Sequence, residues 1–396
     1  MPPPQVPLSR RTAWLAEPNP LALAAEAARR GPTPPLDLTT SNPLEVGLLP
    51  PADLRALAGS GAQAYQPDPL GLGSARRAVA DYYRERHGTQ VDPARVLLTS
   101  STSEAYAYLF WALADPGDEI LVPTPSYPLF AYLADLTGLR LTPYPLAYDG
   151  TWHVDLPALA AAAGPSTRAV LIVSPNNPTG SFLKKDELSA LRAFAAEHRL
   201  ALVSDEVFLD YGLAPDATRA GTLAAEAEGL SFALGGLSKA AALPQLKLAW
   251  TVIAGAAAEA EAALERLSFV ADTFLSPGSP VQCALPSLLA QAPARSAAIR
   301  GRAARNLAAL VRAFEGSAAT PLRTEGGWSA VVRMPATRSA DEWAAALLAA
   351  GVLVQPGYFY DFVDEARLVV SLLPSPEVYD EALTRWRALL DEGAGA

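Results

Sequence analysis

A chain of 396 residues, half of them hydrophobic and only 18% charged, has the composition of a well-cored globular protein, and its length suits two or three domains or one large domain carrying a smaller one. Its net charge of -10 is the wrong sign for neutralising phosphate backbones, which sets nucleic acid aside as a partner. The longest apolar stretch, residues 343–354, is too short to cross a bilayer, and prolines and arginines interrupt residues 1–20, so neither a membrane span nor a signal peptide is expected.

The proline-rich amino-terminal arm is expected to be irregular to about residue 38, apart from a helix at 21–30. Between about residues 95 and 255, β-branched runs alternate with Ala/Leu-rich segments of helical spacing, the signature of an α/β fold. Strands are predicted at 95–98, 119–123, 140–143, 169–174, 201–204, 231–234 and 248–253, giving a seven-stranded, mostly parallel sheet. Helices at 103–114, 127–136, 185–197 and 256–267 flank it. The run Val170-Leu171-Ile172-Val173 is apolar throughout, as a strand covered on both faces must be. After Pro280 the pattern changes to a long helix (292–314), strands at 328–334, 352–354 and 368–373, and an amphipathic helix at 376–390. This reads as a smaller α+β domain. The expected organisation is an arm (1–45), a large domain (46–280) and a small carboxy-terminal domain (281–396).

Metal chemistry has little to work with: one cysteine, Cys283, and three scattered histidines supply no ligand cluster, and a reducing, cytoplasmic setting is expected. The string Gly71-Leu72-Gly73-Ser74 lacks both a third glycine and a preceding apolar strand, so it does not read as a dinucleotide site. A better anion site is the hydroxyl-rich turn 99–103, between a strand and a helix amino terminus, where hydroxyls and the helix dipole can serve a phosphate as well as cap the helix. Asn176 and Asn177 follow one apolar strand and Asp205 ends the next; carboxyl ends of strands line the ligand crevice of open α/β sheets. The chain has only four lysines, Lys184, Lys185, Lys239 and Lys247, against 27 arginines. Imine chemistry requires lysine, and Lys239 follows an apolar strand, where burial would push its amine toward the reactive free base.

Four ordered strings, Pro123-Thr124-Pro125-Ser126-Tyr127-Pro128, Ser174-Pro175-Asn176-Asn177-Pro178-Thr179-Gly180, Asp205-Glu206-Val207-Phe208 and Ser238-Lys239, resemble those of class I/II aminotransferases, fold type I enzymes dependent on pyridoxal 5'-phosphate. The resemblance spans about residues 41–374, with 34 positions from the aspartate to the lysine. It implies that 46–280 binds the cofactor, that Lys239 forms the imine to it and shuttles the proton, and that Asp205 meets the pyridine nitrogen. By the same resemblance Asn177 donates to the ring hydroxylate and Tyr127 stacks on the ring. Ser101, Thr102, Ser103, Ser238 and Lys247 hold the phosphate, and Tyr65 reaches the phosphate of a neighbouring subunit in a homodimer with shared active sites. The implied substrates are an L-α-amino acid and a 2-oxo acid, with Asn42, in the arm, contacting the substrate.

Three positions depart from the family pattern. Phe208 stands where a tyrosine usually bonds the ring hydroxylate, with Tyr211 as a possible replacement. Lys247 stands where an arginine usually grips the phosphate, exchanging a bidentate fork for a point charge. The arginine that clamps the substrate carboxylate is either Arg367 or, if Ser371 and Pro374 set the register, replaced by Val369 two residues later on the same strand face. Without a clamp, β-elimination or decarboxylation becomes the alternative to transamination, and a cofactor-binding sensor without turnover is a further one.

Overall fold

The computed structural model describes residues 6, 8–14, 19–362 and 366–394. Helix α1 (Pro20–Arg29), capped by the Asn19 side chain, opens the described fold. It is followed by β1 (Leu36–Asp37), α2 (Gly73–His87), β2 (Val96–Thr99), α3 (Thr102–Leu113), β3 (Glu119–Thr124), α4 (Phe130–Thr137), β4 (Arg140–Tyr148) and β5 (Trp152–Val154). Then come α5 (Leu156–Ala162), β6 (Thr167–Val173), α6 (Lys185–His198), β7 (Ala201–Asp205), β8 (Ser231–Gly236), α7 (Leu237–Ala240), β9 (Ala249–Ala254), α8 (Ala257–Phe274) and α9 (Ser279–Leu289). The chain continues through α10 (Ala292–Ala313), β10 (Thr320–Pro321), β11 (Ser329–Arg333), α11 (Ala340–Ala349), β12 (Val352–Leu353), β13 (Gln355–Pro356), β14 (Arg367–Ser371) and α12 (Pro376–Ala394).

The large sheet has the order β2-β9-β8-β7-β6-β3-β4-β5, with parallel pairing from β8 through β4. Alternate side chains of its strands enter two cores. Leu98, Leu121, Val170, Ile172, Leu202 and Val252 pack with α2, α6 and α9; Leu97, Ile120, Leu171, Val203, Phe232 and Ile253 pack with α3, α4 and α8. Burial on both faces explains the near-continuous apolar runs of these strands. A third core lies between the four-stranded sheet β10-β11-β14-β13 and helices α10, α11 and α12.

The sheet holds eight strands among the described residues, where seven were expected. The extra one, β5, turns back antiparallel on β4 across Asp149-Gly150-Thr151, with Tyr148 opposite Trp152. Its three residues are too few to show a period, although the Asp-Gly turn, with Gly150 at φ 112, is a hairpin signal. The arm is not irregular throughout: β1 pairs in parallel with β12, a partner more than 300 positions away that no local pattern reveals. Helices α2, α5, α9 and α11 were not anticipated; Pro280 and Pro286 in α9 mask its helical period.

Candidate active site

Strands β2, β3, β6, β7 and β8 all point their carboxyl ends to one edge of the sheet, β2 because two antiparallel steps through β9 restore its direction. That edge gathers Ser101, Tyr127, Asn177, Asp205 and Lys239, each within four residues of the end of its strand. Open α/β sheets bind ligands in this crevice.

Asp205 closes β7, opposite Val173 on one side and Leu234 on the other. One carboxylate oxygen accepts from the Tyr106 hydroxyl at 2.7 Å and the other from the Val207 N–H at 3.0 Å. Burial pushes the Asp205 carboxyl above the usual carboxylate range, while the Val207 N–H, the Tyr106 hydroxyl and the Lys239 charge pull it back. Lys239 lies in α7, just beyond β8. Burial draws its amine below the ordinary lysine value, opposed by the Asp205 charge. Its Nζ lies 4.9 Å from the Trp328 ring centroid and 5.4 Å from that of Phe208, and these two rings meet edge to face. The lysine backbone is tied down as well: the Tyr211 hydroxyl donates to the Lys239 carbonyl at 2.6 Å. That bond spends the one donor the sequence offered in place of the tyrosine missing at Phe208.

The hydroxyl turn does cap its helix. Ser101 Oγ accepts from the Glu104 N–H at 3.1 Å, and the Glu104 carboxylate accepts from the Ser100 N–H at 2.5 Å. The side chains of Thr102, Ser103, Asn177, Ser238, Lys239 and Lys247 make no hydrogen bond or ion pair among the described residues. Such unspent donors around one carboxylate and one low-pKa amine fit a ligand with an anionic group, a ring acceptor and a reactive carbonyl. No cluster of metal-ligating side chains occurs among the described residues.

The remaining predicted residues lie farther out. Tyr127 is half exposed at the start of the turn after β3. Ser126 in that turn donates its N–H to the Tyr360 carbonyl at 3.0 Å, and the Thr124 hydroxyl donates to the Asp361 carbonyl at 3.0 Å, so the 357–362 turn is stitched to the same edge. Arg367 opens β14, its guanidinium 5.1 Å from the Phe362 ring of that turn and 5.9 Å from Trp152. Val369 is buried with Trp152, Val331 and Phe362. The Asn42 side chain is engaged locally, accepting from the Leu44 N–H and donating to Glu45. Tyr65 is 78% exposed. Tyr106 and Trp328 join the site without a sequence signal for that role: Tyr106 lies on the apolar face of α3, where a hydroxyl aimed at Asp205 leaves no periodic trace, and Trp328 stands at the head of a predicted strand.

The profile of the aminotransferase class I and II family matches residues 35–385. The chain belongs to that family. It is 31% identical over 222 residues to the glutamate-pyruvate aminotransferase of Escherichia coli K12, covering 56% of this chain and 55% of that one. To the alanine aminotransferase of Mycobacterium tuberculosis H37Rv it is 32% identical over 225 residues, 57% and 52% of the two chains. The chain thus spans about half the length of the curated relatives it matches. Among solved structures, an alanine aminotransferase from Pyrococcus furiosus superposes with a TM-score of 0.86 at 22% identity, over 94% of this chain and 96% of that one. A double mutant of Thermus thermophilus aspartate aminotransferase gives 0.82 at 24%, over 98% and 100%. At those identities the likeness establishes the fold, that of the fold type I aminotransferases.

Proposed function

We propose that this member of the family is a pyridoxal-phosphate-dependent aminotransferase moving an amino group between an L-α-amino acid and a 2-oxo acid. The observation that carries the reading is the pairing of half-buried Asp205, at the end of β7, with the burial-weakened amine of Lys239, just past the end of the adjacent parallel strand β8. Pyridoxal phosphate, when bound, supplies a carbonyl that captures amines and a ring that accepts electron density from the substrate α-carbon. Lys239 would hold that carbonyl, and as a neutral amine it would be suited to take a proton from the substrate α-carbon and return it. Asp205, oriented by Tyr106, would hold the ring nitrogen and favour its protonated form. Asn177 would donate to the ring oxygen, and Tyr127 would pack on the ring. Ser101, Thr102, Ser103, Ser238 and Lys247 bind the phosphate, Ser101 with the hydroxyl proton its capping bond leaves free.

Arg367 grips the substrate carboxylate in this reading, supported by its place against the Phe362 turn, and Asn42 adds a contact from the arm. Tyr65 serves the phosphate of a second copy. Exposed apolar side chains on and just after α8 support the homodimer: Phe269 is 71% exposed, Leu275 59%, and half-exposed Phe274 stacks on Trp111 at 5.3 Å. Among the described residues no helix is long and apolar enough to cross a membrane, and the lone cysteine suits a reducing cytoplasm. Val369 favours a second reading, since a valine buried in an apolar cluster offers a carboxylate nothing; should Arg367 not grip it either, elimination or decarboxylation suits the same scaffold. A half-reaction separates the two. Mixing the loaded protein with single amino acids should convert the cofactor to its amine form and release the matching oxo acid; regeneration of the aldehyde would identify a lyase or decarboxylase.

A further inference from the structure

Lysine is out of place at position 184, the N-cap of α6. A cap should offer an acceptor to the first-turn N–H groups, and lysine has none, while its charge opposes the helix dipole. Glu187 does part of that work, its carboxylate accepting from the Lys184 N–H at 2.7 Å. The Lys184 amine leaves the helix and donates to both oxygens of Glu325, at 2.7 and 2.6 Å, with the two side chains 17% and 5% exposed. Around them stand Asp216, 4.0 Å from the amine, Arg323, 3.7 Å from Glu325, and Arg219, whose guanidinium lies over the Phe182 ring.

Glu325 begins the segment Glu325-Gly326-Gly327-Trp328. The same carboxylate accepts from the Phe182 N–H at 3.1 Å, the Glu325 N–H donates to the Gly180 carbonyl, and the Gly327 N–H donates to the Tyr211 carbonyl. The approach is close. A Cβ on Gly326 would lie 2.5 Å from the Phe182 ring, and one on Gly180, at φ +70, would lie 2.5 Å from the Gly326 carbonyl oxygen. Both segments end in the site: the 174–183 turn carries Asn177, and Trp328 lies over the Lys239 amine.

We propose that the Lys184–Glu325 pair is a positioning latch that clamps the Gly326-Gly327 segment onto the Asn177 turn and so sets where Trp328 sits over Lys239. Two adjacent glycines give that segment little conformational preference of its own, so its place depends on the contacts made by it and its neighbours, the Lys184–Glu325 pair among them. The inference rests on the reading of Lys239 as the cofactor lysine. Releasing the latch lets water reach the amine, which favours its charged form.

The test compares the cofactor-loaded parent with Lys184→Met, Glu325→Gln, the double variant and Lys184→Arg. Glu325→Gln keeps an acceptor for the Phe182 N–H and leaves no buried carboxylate unpaired, so it reports even if Lys184→Met fails to fold. Both single variants should raise the pH midpoint of the bound-cofactor absorbance by roughly half a unit or more, and speed hydrogen exchange in segments 178–183 and 323–329 about tenfold or more. The double variant should match the singles, since one interaction can be lost only once, and Lys184→Arg should stay close to the parent. A lower melting temperature in Glu325→Gln with the midpoint and exchange unchanged would mean ordinary packing and overturn the latch, as would additive effects in the double variant. If the parent takes up no pyridoxal phosphate, the aminotransferase reading fails on its own; exchange in the same variants still decides whether the pair holds the segment.

Discussion

Lys239, Asp205, Asn177 and Ser101 stand at or just past the ends of strands in one sheet, whereas Asn42, Arg367 and Trp328 come from the arm, the small sheet and a segment preceded by two glycines. The first group inherits its geometry from β2, β6, β7 and β8, the last three in a register that places Val173, Asp205 and Leu234 side by side. The second depends on local ties such as the 357–362 turn and the Lys184–Glu325 pair. In the proposed reading, the side of the site assigned to chemistry rests on the register of one sheet, and the side assigned to substrate is assembled from separate contacts.

The contrast is broken most severely at its sheet end. Lys239→Ala should reduce turnover by on the order of a thousandfold or more while leaving some cofactor held by the ring and phosphate contacts. Borohydride reduction followed by peptide mapping checks the assignment, and a label at Lys184 or Lys185 would refute it. Asp205→Asn should cost roughly a hundredfold, because a neutral amide cannot hold the ring nitrogen protonated. Tyr106→Phe should cost about tenfold, since Asp205 loses one of its two donors but keeps the Val207 N–H. Comparing kcat for these two variants measures how much of the carboxylate's effect lies in its orientation.

At the assembled end, Arg367→Ala should raise KM for the amino acid roughly tenfold with little change in kcat, the pattern of a lost ground-state contact. Unchanged kinetics would move the carboxylate clamp to another residue. The smallest expected effect on activity comes from Glu206→Gln, next to Asp205 but turned away into the core. There the Glu206 carboxylate accepts from the Thr222 hydroxyl and the Leu223 N–H. Burial pushes its carboxyl up to about 7 from 4.5. Between those values the folded protein holds a proton that the unfolded chain has released, so this group's contribution is full below pH 4.5 and falls as pH rises through 7, by up to about 3 kcal/mol. Urea midpoints at pH 5 and pH 8 should show the parent losing more stability on going alkaline than the glutamine variant; equal losses would remove Glu206 from the account.

Much of this protein could be read before any coordinates. The apolar runs of β6, β7 and β8 announced strands buried on both faces, and in a parallel α/β sheet the residues following such strands meet at one edge, so Asn177, Asp205 and Lys239 could be grouped from their order alone. Chain order does not encode contacts between segments far apart in the chain. The Tyr106 hydroxyl on Asp205, Trp328 over Lys239, the spent donor of Tyr211, the pairing of β1 with β12 and the reach of Lys184 to Glu325 each join segments whose local patterns are complete without the other. Periodicity reports which face of an element is buried; only packing in three dimensions decides which polar atom on that face finds which partner.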